Sequence, residues 1–155
     1  MGVNKIFSRK IITASMISSL LAITVGFWYS MTEPFTSIKD FILNTFMVMP
    51  VYILFGLPII LVYGVLSSFL SDALSKSIST KLNNSRFETA LSLLFHIIFG
   101  LVLGWPIAVI ALIFFITDQL LQNRRKSYNS TQAIISLAIP LITWLLSFIV
   151  ISILQ

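Results

Sequence analysis

FILNTFMVMPVYILFGLPIILVYGVLSSFLS, Phe41–Ser71, contains no Asp, Glu, Lys or Arg and is dominated by Leu, Ile, Val and Phe. The hydrocarbon core of a bilayer, about 30 Å thick, is crossed by about 20 apolar residues in a helix. This stretch exceeds that length, so tilt or a kink is expected. Three further charge-free stretches flank it: Ile11–Thr32, Thr89–Thr117 and Ser127–Gln155. A soluble core helix is apolar along one stripe only, whereas these are apolar around their whole circumference. The chain therefore reads as an all-α, polytopic transmembrane helical bundle with four spans, at about 11–29, 46–70, 91–117 and 133–153. Residues 1–155 form a single integral membrane domain on this reading.

Composition agrees: 57% hydrophobic and 10% charged residues lie far from soluble domains. The formal net charge is +5. Its basic residues sit in short segments beside the spans, as orientation signals and head-group contacts do. Arg124-Arg125-Lys126 is the one basic run, too short for a nucleic-acid footprint, so no nucleic-acid partner is expected. The absence of cysteine excludes disulfides, thiolate metal sites and thiol catalysis. Neither His-Glu-x-x-His nor Gly-x-Ser-x-Gly occurs, and there is one histidine. No catalytic, cofactor-binding or metal-ligating residue is assigned, no cofactor is expected, and the chain is not read as an enzyme.

The basic start, MGVNKIFSRK, followed by an apolar run resembles a secretory signal. The run ends in Phe27-Trp28-Tyr29 with no small-x-small site, so an uncleaved first span is expected. Ser15, Ser19, Ala22 and Gly26 place small residues on one face, the means by which helices associate in lipid. Ser37 and Asp40 have capping-box spacing and mark either a short interfacial helix or a turn. Pro50 and Pro58 free the carbonyls of Phe46 and Leu54, and Pro140 frees that of Ser136. Residues 72–88, rich in Ser and Asn, read as a polar loop. In the third span Gly100-x-x-x-Gly104 forms a small-residue packing motif. Its face is expected to meet a membrane protein partner or a second copy in a homo-oligomer.

Orientation is in conflict. Four crossings with residue 1 inside put six basic residues inside and four outside, a narrow preference under the positive-inside rule. A re-entrant hairpin turning at Gly104-Trp105-Pro106 would give nine against one. Hydropathy over 89–117 favours a crossing, which is the expectation adopted, with the hairpin as the alternative.

His96 is the one ionisable side chain well inside a span. It reads first as a histidine hydrogen-bonded to a neighbouring helix, and second as a proton carrier. No charged intramembrane partner for it is visible in the sequence. Asp72 and Asp118 end spans, and such carboxylates mark interfaces or pair with nearby Lys or Arg. Small multidrug exporters share the size and span number, but their first-span glutamate has no counterpart in Ile11–Thr32.

Tyr63-Gly64, Ser68 and Ser71-Asp72, then His96, Gly100 and Pro106, then Phe114-Phe115-Ile116-Thr117-Asp118, resemble an uncharacterised family of small four-span membrane proteins from Bacillus. The resemblance implies a bacterial plasma-membrane location and no assigned activity. The functional expectation is a multi-pass cell-membrane protein in contact with the lipid bilayer. A non-enzymatic interaction or accessory role is expected, with a small oligomeric transporter or channel as the alternative.

Overall fold

The computed structural model describes residues 3–34, 36–82, 86–124 and 127–155. Its elements are α1 (Val3–Thr32), α2 (Ile38–Ile59), a π turn (Ile60–Gly64), α3 (Val65–Lys81), α4 (Arg86–Val102), α5 (Trp105–Arg124), α6 (Ser130–Ser136) and α7 (Ala138–Leu154). Among the described residues there is no strand, and the expected all-α bundle is what forms. Four helical stretches are long and apolar enough to cross a membrane: Asn4–Thr32, Ile38–Lys81, Trp105–Arg124 and Ser130–Leu154. Large apolar side chains such as Trp28, Leu54, Phe55, Val62, Leu141 and Ile153 point outward, an exterior suited to lipid.

α1 is the central helix, with α2, α3, α5, α6 and α7 all packed on it. The small-residue face expected in the first span makes this possible. Ser15 and Ala22 are fully buried. At Gly26 an added Cβ would stand 2.6 Å from the Thr45 carbonyl oxygen, and the Ser30 and Thr45 hydroxyls meet at 2.7 Å. Ser136 of α6 donates to Ser15 at 3.2 Å, while Trp144 of α7 packs against the cluster of Ala22, Met49 and Ile53. α6 and α7 therefore run in the same direction as α1. The helix is interrupted at Leu137, where Pro140 withholds the N–H that the Ser136 carbonyl would accept.

Ser37 caps α2, its hydroxyl accepting the Asp40 N–H at 3.1 Å. From that cap the helix enters the span directly, without a separate interfacial helix; Phe35 lies outside the described residues. Ile38–Lys81 is one helical stretch of 44 residues, about 66 Å at 1.5 Å per residue. Pro50 and Pro58 lie within α2, and the π turn opens just after Pro58. The polar loop expected over 72–88 is corrected by this helix, which continues to Lys81. Ser71, Ser75, Ser79 and Thr80 donate to carbonyls of their own helix at Ser67, Asp72 and Lys76. The Ser68, Ser71 and Ser75 face is buried. Serine here is a packing residue, and Asn83–Ser85 lie outside the described residues.

The span expected at 91–117 is divided into a hairpin. α4 ends at Val102, Gly104 takes φ +118°, and α5 returns from Trp105. Gly100 sits on Ala108 and Ala111 across the hairpin, and the His96 and Phe115 rings meet edge to face at 5.2 Å. The turn is exposed on its outer side, with Val102 and Trp105 pointing outward, and it bonds part of its own backbone internally. Leu103 N–H and Gly104 N–H donate to Gly100 and Leu101, and the Gly104 carbonyl accepts from Ile107 and Ala108. The Phe99 carbonyl accepts the Tyr63 hydroxyl at 2.6 Å. Pro106, in the first turn of α5, has no N–H to satisfy.

Leu103 and Pro106 at the turn line the same cavity as Leu21, Val25 and Gly56, while α1 continues to Thr32. Arms of 17 and 20 residues, about 26 and 30 Å long, flank an α1 of 30 residues, about 45 Å. The hairpin thus reaches partway along the bundle and returns. Glu88 and Gln119 lie together at the end that holds Arg9. Below the turn, Ala14, Ile17, Ile60, Val65 and Phe114 form the apolar core that fastens α5 to α1 and the π turn.

Candidate functional site

At the base of the hairpin, four helices bring polar groups together, and three of them supply charges; all the charged groups are buried except Asp72, which is partly exposed. Arg9 and Lys10 come from α1, Asp72 from α3, His96 and Ser92 from α4, and Asp118 from α5. Arg9 grips Asp118 in a two-pronged fork, Nε to Oδ1 at 2.7 Å and Nη2 to Oδ2 at 2.9 Å. Such bidentate pairing is among the stronger charge-assisted contacts. Lys10 is fully buried. Its Nζ donates to Ser68 Oγ at 2.6 Å, Asp72 Oδ2 at 2.6 Å and Asp118 Oδ2 at 3.2 Å, which uses all three ammonium hydrogens. Thr13 Oγ1 lies 3.1 Å from the Arg9 carbonyl and 3.4 Å from Asp118 Oδ1.

His96 extends the network. Its Nδ1 is 2.7 Å from the Ser92 carbonyl, and its Nε2 is 2.9 Å from Ser68 Oγ. A carbonyl oxygen only accepts, so Nδ1 carries the hydrogen and Nε2 of the neutral ring offers its lone pair to the Ser68 hydroxyl. Ser68 accepts from Lys10 on its other side. The Ser92 hydroxyl closes the circuit by donating to Asp72 Oδ1 at 2.7 Å.

Two cations face two carboxylates, so the cluster is neutral overall. Desolvating charges costs several kcal/mol per ion, and only close pairing with full hydrogen bonding offsets it. Both conditions are met: no buried side-chain nitrogen or oxygen among the described residues lacks a partner.

The cluster separates two spaces. On one side is a polar vestibule of about 550 Å³, lined by Arg9, Asp72, Lys76, Glu88, Ser92 and Gln122. On the other is an apolar cavity of about 410 Å³ under the hairpin turn, lined by Leu21, Phe55, Gly56, Leu103 and Phe114, with Ser67 and His96 in its wall. No group of His, Asp or Glu able to hold a metal ion occurs among the described residues.

Asp72 and Asp118 do pair with basic residues, but with Lys10 and Arg9 from a distant helix. The expected hydrogen bond of His96 to a neighbouring helix is found at Ser68. The expectation that His96 has no charged partner fails, because Lys10 and Asp72 reach it through Ser68 and Ser92. Arg9 and Lys10, read from sequence as head-group contacts, are buried. The signal available was a basic pair immediately before a span carrying Thr13, Ser15, Ser18 and Ser19, a polar face able to continue a charged site inward. Of the basic run, Arg125 and Lys126 lie outside the described residues. Gly100 and Gly104 do not form a common outward face: Gly100 is covered by Ala108 of the same chain, and Gly104 is the turn.

Comparison of the chain with protein-family models, curated proteins and solved structures finds no match.

Proposed function

We propose that this chain is a small multi-pass transport protein of the bacterial plasma membrane, with three crossings surrounding an inserted hairpin that gates the apolar cavity. The carrying observation is the hairpin itself, closed at its base by a neutral charge cluster with a water-compatible vestibule below and an apolar cavity above. Interrupted helices that frame a central site are the means by which transporters line a path through lipid. Irregular backbone is tolerated at membrane depth where it is buried or lines a cavity. Ile60, Tyr63 and Gly64 of the π turn and Leu103 and Pro106, which flank the Gly104 turn, line the same cavity. The charge bias supports the arrangement, because a hairpin that enters and leaves on one side places nine basic residues there and one opposite.

A transport path must admit water to the cavity at some stage of its cycle, whereas a packing helix keeps that position dry. Since the chain has no cysteine, Ser67→Cys creates a unique thiol in the cavity wall. In reconstituted vesicles, a membrane-impermeant cationic methanethiosulfonate should modify Cys at 67 at least tenfold faster than Cys at the outward-facing Ile149. No modification above the Ile149 control, with the reagent on either side, would overturn the proposal.

A further inference from the structure

We propose that the proton is the ion coupled to this path, and that Nε2 of His96 is the atom that takes it. The inference rests on the transport reading for its purpose, but its chemistry stands on the cluster's geometry. Facing His96 are Arg9 and Lys10 from α1, Asp72 from α3 and Asp118 with Phe115 from α5; Lys76 and Glu88 line the vestibule beyond. With Nδ1–H committed to the Ser92 carbonyl, Nε2 holds the free lone pair and receives the Ser68 hydroxyl hydrogen. The site lies at the boundary between the two spaces. His96 stands in the cavity wall, and Ser92, whose carbonyl it holds, lines the vestibule.

Proton uptake at Nε2 changes this arrangement in a defined way. The ring becomes an imidazolium, a donor at both nitrogens. Ser68 Oγ then faces two cationic donors, His96 Nε2 at 2.9 Å and Lys10 Nζ at 2.6 Å, and its own hydrogen no longer has Nε2 as acceptor. The cluster changes from neutral to one excess positive charge in buried surroundings. Separation of α4 from α1 and α3 relieves both conditions, and it opens the hairpin base to the vestibule. Loss of the proton from Nε2 to water restores the neutral ring and the closed base. One proton enters and one leaves, and no other bond changes.

The chain's single histidine permits a direct test on the unaltered protein. With ¹⁵N-histidine incorporated and the protein in lipid, Nε2 should move from the unprotonated to the protonated resonance position as the pH falls from about 7 to about 4.5, with Nδ1 protonated throughout. Spin labels at Leu74→Cys on α3 and Leu94→Cys on α4 should show a second, longer distance, rising from under a tenth of the population to the majority over the same interval. In His96→Gln, which keeps hydrogen-bonding groups but takes no proton, the short distance should persist. An Nε2 that stays unprotonated down to about pH 4.5 would overturn the inference. So would a distance unchanged with pH, or an identical opening in His96→Gln. A dry Cys at 67 with these pH responses intact would remove the transport reading and leave the proton site standing.

Discussion

Asp118→Leu is expected to destabilise the folded protein by about 3–5 kcal/mol, the range for removing one partner of a buried ion pair. Asp118 is 3% exposed and is the only carboxylate in contact with Arg9 among the described ion pairs. Its loss leaves Arg9 uncompensated and leaves Lys10 with Asp72 alone. The measurement is reversible unfolding in detergent, followed by circular dichroism. The double variant Arg9→Met/Asp118→Leu should recover more than half of the loss, because it removes a cation and an anion together and restores neutrality. A loss below about 1 kcal/mol for the single variant, the size of an exposed pair, would mean that the cluster is hydrated and not buried.

Gly100→Leu is the second large expectation. A Cβ at this position would lie 2.6 Å from the Ala108 Cα and 3.0 Å from its nitrogen. Those are backbone atoms, so no side-chain rotation makes room, and the arms of the hairpin must part. Overpacking of this kind costs about 1–3 kcal/mol where the surroundings can adjust; with backbone on the far side we expect about 3 kcal/mol. Gly104→Ala differs in kind. Its added Cβ has open space, with Pro106 Cδ at 3.7 Å, but the residue is held at φ +118°, a strained conformation costing about 1–3 kcal/mol for other residues. The same unfolding assay should therefore rank Gly100→Leu as the more damaging. The opposite order would show that the turn, and not the contact between the arms, holds the hairpin.

The all-helical class and the apolar character of the spans were legible in the sequence because lipid imposes them on every residue of a span. Ser15, Ala22 and Gly26 also announced the packing face of α1, since close approach in lipid requires small side chains. Two features were obscured for physical reasons. Serines 71, 75 and 79 have loop-like composition, yet their hydroxyls return to the helix backbone, and composition alone does not distinguish the two uses. The charge cluster assembles Arg9, Lys10, Asp72 and Asp118 from three helices far apart in sequence. Each sits at the margin of a charge-free stretch, where an interfacial residue would also sit. Only the hairpin, by bringing Asp118 back beside Lys10, reveals them as one site. The turn at Gly104-Trp105-Pro106 was readable as an interruption, and the charge imbalance was its independent sign.

The central claim is that α4 and α5 enter and leave on one side of the membrane. Single cysteines at Lys81, Asn123 and Gln155, each labelled with a membrane-impermeant maleimide in sealed vesicles of known orientation, test it directly. Cys at 81 and Cys at 123 should label from the same side, with Cys at 155 labelling from the opposite one. Labelling of 81 and 123 from opposite sides would show four simple crossings and contradict the inserted hairpin.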